Sequence, residues 1–381
     1  MSWRAAFCFF LAICACSRRN ADKPAPDAMH PPAELQVEAL AVGSNHVCAR
    51  KGDGTVVCWG RDNGYGQLGA TPLGAGEPRP VAGLAGVVDL AAGVQHTCAL
   101  LVSGAVRCWG ENKDGQLGDG SLTNRDEPVS ARGLGPARAI YAGSMSTCAA
   151  LVDGSTWCWG SSSGTGKEPR AWGPRYPEPN PRLVPGVRDV VTLGIGSGHI
   201  CAAGTDGIAR CWGSGTLYEL GDGRSDHNAL VPQPVAGISG VRSIAVGFVH
   251  SCAVAAPAFS CWGYGASAPP GPWSAASDCK LPCDVGSGSD FASVVAGDKV
   301  TCAITVGGDV QCIGDRGLVM RGAAPLWLGP RLTKVAFGRP IRAVSLGPTF
   351  GCARGADGVL TCFDIIERPR PPGPPIPTHP R

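Results

Sequence analysis

Short runs of alternating apolar and polar residues recur along the chain, separated by turns rich in Gly. The stretch from Leu90 to Gly120 shows the unit most clearly. It reads Thr97-Cys98-Ala99-Leu100, a turn at Ser103-Gly104, then Ala105-Val106-Arg107-Cys108-Trp109. Alternation over so few residues predicts two strands, and the turn between them predicts a hairpin. Other units place Asp-Gly in that turn: Asp53-Gly54, Asp153-Gly154, Asp206-Gly207 and Asp357-Gly358. Gly there accepts the positive φ that tight hairpins need. Val106 and Cys108 face one side of their strand, while Arg107 and Trp109 face the other. A strand that is apolar on both faces is sandwiched between neighbours.

The hairpins are periodic. Cys48, Cys98, Cys148, Cys201, Cys252, Cys302 and Cys352 open successive units at intervals of 50, 50, 53, 51, 50 and 50 residues. Their partners Cys58, Cys108, Cys158, Cys211, Cys261, Cys312 and Cys362 follow nine or ten residues later. A period near 50 residues is the size of a propeller blade. Directly opposed hairpin residues bring Cβ atoms within disulfide range, so each pair is expected to be bridged. Unit five shortens the turn and loses Asp-Gly. Cys279 and Cys283 form one further close pair, expected to close a small ring that stiffens a loop. So many paired cysteines place the chain in an oxidising compartment. Trp59, Trp109, Trp159, Trp212 and Trp262 repeat after the second cysteine and are expected to pack between blades.

The first 16 residues read as an export signal: Arg4, then an apolar run from Ala5 to Ala15 that is too short to span a bilayer. The end of this run, Ile13-Cys14-Ala15-Cys16, resembles a bacterial lipobox, which implies cleavage before Cys16 and a diacylglycerol on its thiol. An ordinary signal peptide with an incidental cysteine is the alternative. Residues 17–33 read as a flexible tether, 34–366 as the repeat body and 367–381 as a Pro-rich tail. Later units carry Pro-Val after the hairpin (Pro128-Val129, Pro234-Val235) and the seventh does not, so the strand around Glu34 to Leu40 is expected to fill the gap in the last blade.

Seven such units fill most of the 381 residues, leaving no room for a separate catalytic domain. The 56 Gly and 33 Pro suit turn-rich β structure. A net charge of +3 with interspersed signs gives no basic stripe, so nucleic acid is not an expected partner.

The string His-Thr-Cys-Ala-Leu at His96 to Leu100, followed by Cys108-Trp109-Gly110 and Gly115-Gln116-Leu117-Gly118, resembles the regulator of chromosome condensation repeat in its cysteine-paired bacterial form. The first unit matches with Gly66-Gln67-Leu68-Gly69, and the likeness covers roughly residues 36–366. It implies an all-β fold, a seven-bladed β-propeller. The pattern decays: unit four has Glu219-Leu220-Gly221, and Ile313 and Phe363 replace Trp. His46, His96, His199 and His250 share one position, which Ser146, Val300 and Phe350 fill elsewhere. The founding relative is a nucleotide exchange factor, but no motif here carries that activity. Plant photoreceptor relatives carry Trp where this chain has Ser44, Val94, Ser144, Ser197 and Phe248, so that function does not transfer. Some secreted bacterial relatives bind and inhibit β-lactamases.

Other motifs have plain structural readings. Gly64-Tyr65-Gly66-Gln67-Leu68-Gly69 fits a dinucleotide pattern but lacks the βαβ context. The four histidines are expected to tie their own blades together rather than to bind metal. Asp114, Asp119 and Asp222 are expected to stabilise turns rather than to hold Ca2+. No catalytic residue, metal site or cofactor is expected.

Two insertions stand out. Ser161 to Arg182 contains Arg170, Trp172, Arg175 and Tyr176, and Tyr264 to Asp290 contains Trp273. Arg and aromatic residues are typical interface anchors, which makes Arg170, Trp172, Tyr176 and Trp273 the binding candidates. The expectation is a monomeric, non-enzymatic scaffold, anchored by lipid at the bacterial cell envelope, that recognises a protein or glycan. A structural envelope component without a ligand, or a hydrolase with an axial site, are the alternatives.

Overall fold

A computed structural model describes residues 29, 31, 35–69, 77–161, 177–255, 258–264, 279–287, 290–314, 318–321, 326–328 and 332–367. It is an all-β, seven-bladed propeller. Blade two is typical: Val87–Ala92, His96–Leu101, Val106–Gly110 and Arg125–Ser130 pair antiparallel in that order from the axis outwards. Both faces of the middle hairpin are buried, as its two-sided apolar pattern requires.

Cys98 and Cys108 are directly opposed, as are the cysteines of the other six hairpins, and all seven pairs are bonded with Cα atoms 4.0 to 4.2 Å apart. The outermost strands carry Pro: Arg79–Pro80 in blade one, Pro128 in blade two, Pro234 in blade four. An edge strand tolerates the missing N–H, and Pro there discourages edge-to-edge association.

The apolar cores lie between blades. One cluster joins blades one and two through Val56, Leu68, Leu90 and Trp109, and another joins blades two and three through Leu100, Leu117, Ile140 and Trp159. Ring closure uses the same device. Val42, Val47 and Trp59 of blade one pack against Phe350, Leu360 and Cys362 of blade seven.

Two connections differ from the sequence reading. The outer edge of blade seven is shared. Leu318–Arg321, which precedes that blade in the chain, pairs with Asp364 to Glu367. The N-terminal segment covers only the other end, where Gln36 bridges Val359 and the Leu360 N–H donates to the Leu35 carbonyl. Leu40 belongs to Ala39–Val42, the innermost strand of blade one. The chain therefore leaves blade six after Val310–Gly314, visits the edge of blade seven, and returns as Thr333–Val335 to complete blade six.

Met29 is the second difference. The tether reading left it outside the body, but it is fully buried among Val47, Trp59 and Phe350. The two insertions are also shorter than their sequence boundaries. Glu178–Arg188 and Cys279–Ser287 are the outer strands of blades three and five. Cys279 and Cys283 are bonded, and they sit on that outer strand rather than in a loop.

Candidate functional site

The repeated residues build the seams between blades. His96 Nε2 lies 2.9 Å from Thr147 Oγ1 of the next blade, and that hydroxyl donates to the Gln116 carbonyl at 2.8 Å. The hydroxyl proton being used, the imidazole N–H is the donor to Thr147. Trp159 Nε1 donates to the same carbonyl. The Gly-Gln-Leu-Gly loop of one blade thus caps the Trp and Thr of the next. Trp109 donates to the Gln67 carbonyl and Trp262 to that of Glu219. No Gly-Gln-Leu-Gly string follows the seventh hairpin, and Trp59 donates instead to the Met29 carbonyl. The N-terminal segment supplies the missing cap.

Each histidine therefore ties its blade to the following one, not to itself. His46 meets Thr97, His199 meets Ser251 and His250 meets Thr301, each at 2.8 Å. Sequence reasoning missed this, although a signal exists. The residue before the first cysteine is Thr or Ser wherever the preceding unit has His. It is Ile200, Gly351 or Val47 where that unit has Ser146, Val300 or Phe350. Burial pushes the imidazoles down, His46 and His250 to about 4 and His96 and His199 to about 3.

Acidic turn residues are likewise engaged. Asp119 is desolvated, which raises its pKa, but hydrogen bonds from Ser121, Arg125 and Asn112 outweigh this and hold it below the usual carboxylate range. Asp222 lies 3.0 Å from His227. Glu219, in the Gln position of the cap, accepts the Leu217 N–H while buried. Burial pushes its carboxyl up to about 7. Among the described residues no cluster of three or more His, Cys, Asp or Glu side chains is placed to hold a metal ion.

The seams leave two features unexplained. One is an axial cavity of about 580 Å3, lined by the innermost strands of all seven blades. The strands approach closely enough to need Gly: a Cβ on Gly347 would lie 2.3 Å from the Gly43 carbonyl oxygen, and one on Gly247 would lie 2.6 Å from that of Gly297. The cavity opens at a rim of turns between first and second strands, occupied by Ser44, Val94, Ser144, Ser197, Phe248, Asp298 and Pro348. Tyr141 also lines the cavity, and its hydroxyl is pushed up by burial. The other feature is the pair of insertions, which start at this rim. The Ser161 N–H donates to the Met145 carbonyl and the Tyr264 N–H to that of Val249, beside Phe248. Arg170, Trp172, Tyr176, Trp273 and Cys16 lie outside the described residues.

Comparison with known proteins agrees with this architecture. Residues 37–67 and 87–116, and in a second form 53–100, 103–150 and 206–254, match the Regulator of chromosome condensation (RCC1) repeat. Protein pim1 of Schizosaccharomyces pombe is 31% identical over 74 residues, which is 19% of this chain and only 14% of that protein. The crystal structure of human WBSCR16 superposes with a TM-score of 0.70 at 17% identity, over 88% of each chain. Prp20p from Saccharomyces cerevisiae gives 0.68 at 21% identity, over 87% of this chain and 82% of that one. At such identities the likeness is one of fold. The chain carries RCC1 repeats and forms a seven-bladed propeller.

Proposed function

We propose that this propeller of RCC1 repeats is a binding scaffold for a protein partner, contacted through the face that carries the axial rim. The observation that carries the reading is the division of labour among residues. Periodic positions are consumed by the seams, whereas Phe248, Asp298 and the starts of both insertions share one rim. Ser161 and Tyr264, after which the insertions begin in sequence, are hydrogen-bonded to that rim, and Arg170, Trp172, Tyr176 and Trp273 fall in those insertions. Arg and aromatic side chains there suit interface anchors. Prp20p, of the same fold, is described with its binding to Gsp1p and histones, and as bound by Kap60.

The scaffold reading includes export and a lipid anchor. The Ile13-Cys14-Ala15-Cys16 string supports lipidation at Cys16, and the eight disulfides suit an oxidising envelope. With acyl chains on Cys16, the propeller would stay at a membrane surface. Among the described residues, Asp298 is the one carboxylate that lines the cavity. A single carboxylate suits binding of a cation better than the paired acid and base of a hydrolase.

Affinity capture from envelope fractions tests the scaffold. The bait is the chain from Ser17 onward, and the control lacks 162–176 and 265–278, which spares the outer strands. A partner held by the bait and lost by the control is the expected result. Equal recovery with both proteins would move the weight to a structural component whose insertions are decoration.

A further inference from the structure

Six of the seven rim positions are uncharged, and the two that combine bulk and charge are neighbours. Phe248 is 52% exposed at the mouth of the cavity. Its turn is fixed, because Ser197 Oγ donates to the Phe248 carbonyl at 2.7 Å and Gly247 packs against the Gly297 carbonyl. Asp298 follows Gly297 at the equivalent place one blade on. Its carboxylate makes no hydrogen bond to the described residues. Burial pushes it up, and the adjoining Lys299 ammonium offsets this only in part. A desolvated carboxylate without hydrogen bonds is costly in the free protein, and an incoming cation recovers that cost. An exposed aromatic face beside it adds cation–π attraction.

We infer that this rim receives a lysine or arginine side chain of the protein partner, with its cation between the Phe248 ring and the Asp298 carboxylate. The inference rests on the scaffold reading and gives the partner a chemistry. A polypeptide source fits better than a free amine, since the Tyr264 N–H donates to the Val249 carbonyl and so sets the start of the second insertion beside Phe248. A partner large enough to reach that insertion presents its side chains to the rim at the same time.

The test titrates the full propeller with three capped pentapeptides, Gly-Gly-X-Gly-Gly, where X is Lys, Arg or norleucine, followed by NMR or calorimetry. The expected result is binding of the Lys or Arg peptide at about millimolar affinity, with norleucine at least about tenfold weaker. Asp298→Asn and Phe248→Ala should each weaken the cationic peptide by about three- to tenfold while the melting temperature is kept. Norleucine binding as well as lysine would overturn the inference, as would an Asp298→Asn protein that binds normally. So would an absence of any binding up to about 10 mM peptide. A partner captured from the envelope whose affinity ignores both substitutions would sink this site alone and leave the scaffold standing.

Discussion

At the scale of single residues, titratable groups buried in the seams carry the pH dependence. The four buried imidazoles are held well below the usual value of 6.5, at about 3 to 4. Their stabilising contribution is complete above pH 6.5 and is lost as the pH falls through 4 and 3. When fully lost it amounts to roughly 3 to 5 kcal/mol per histidine. Glu219 acts in the opposite sense. Its carboxyl titrates near 7 when folded and near 4.5 when unfolded, so its contribution is complete below pH 4.5 and lost as the pH rises through 7. Glu219→Gln should therefore match the natural protein at pH 4 and exceed it at pH 8 by about 3 kcal/mol in urea unfolding. Equal stabilities at pH 8 would contradict the account. Thr147→Val removes the hydroxyl between His96 and the Gln116 carbonyl, and should cost about 1 to 3 kcal/mol by the same measurement. In the Glu219 cap, Tyr218 holds a φ of 64°, where the matching positions are Gly66 and Gly115. Its ring sits 5.3 Å from the Lys280 ammonium, a contact that offsets part of the strain.

At the scale of elements, local staples and long-range caps do different things. Each hairpin disulfide closes a ten-residue separation, or nine in blade five, and joins no two blades. Replacing Cys98 and Cys108 with Ala should lower stability by about 2 to 3 kcal/mol and leave the ring closed, as read by calorimetry and small-angle scattering. The outer strands of blades two to five share a bulge. Two residues from Cys to Gly in the third strand face four in the outer one, as between Cys158–Gly160 and Arg182–Glu178. Blade three clamps this bulge with the Arg182–Glu178 ion pair, and blade five clamps it at the same register with the Cys279–Cys283 bond. That explains the extra cysteine pair without a ligand. The cap on Trp59 is the sharpest element-level test. Truncation through residue 28 should leave the melting curve unchanged, whereas truncation through residue 30 removes Met29. The second truncation buries less apolar surface and orphans an indole N–H, a loss of about 3 kcal/mol. Identical curves would show that the seam closes without Met29.

At the scale of the whole molecule, stability belongs to the ring. Among the described residues every apolar cluster spans two or more blades, so no blade buries its apolar faces alone. The seam between blades seven and one lacks the His–hydroxyl pair, Phe350 facing the position of Val47, and it relies on Met29 and the Leu35 to Val37 segment. Native-state hydrogen exchange should therefore show the inner strands of blades one and seven losing protection together once Met29 is removed. Loss confined to blade one would mean that the two blades are not coupled. The axial cavity is also a property of the ring, since seven strands 50 residues apart in sequence come together only when it closes.

The chain by itself determined the number of blades, the hairpins, their disulfides and the burial of the five tryptophans. Hairpins and disulfides depend on neighbours within ten residues and a period of two, which alternation and Asp-Gly turns write directly into the order of residues, while the blade number and the tryptophan position follow from the period near 50. The tertiary structure decided which blade each imidazole serves, because its partner lies about 50 residues away across a seam and shows in the sequence only as a Thr or Ser one unit on. It also decided the crossing of outer strands between blades six and seven, and the docking of Met29 in a segment whose composition reads as tether. The candidate site divides in the same way. Its insertions are visible as interruptions of the period, whereas Phe248 and Asp298 look like unrelated substitutions until the closed ring sets them side by side. Period and alternation specify a blade; only closure of the ring gives the blades a common axis.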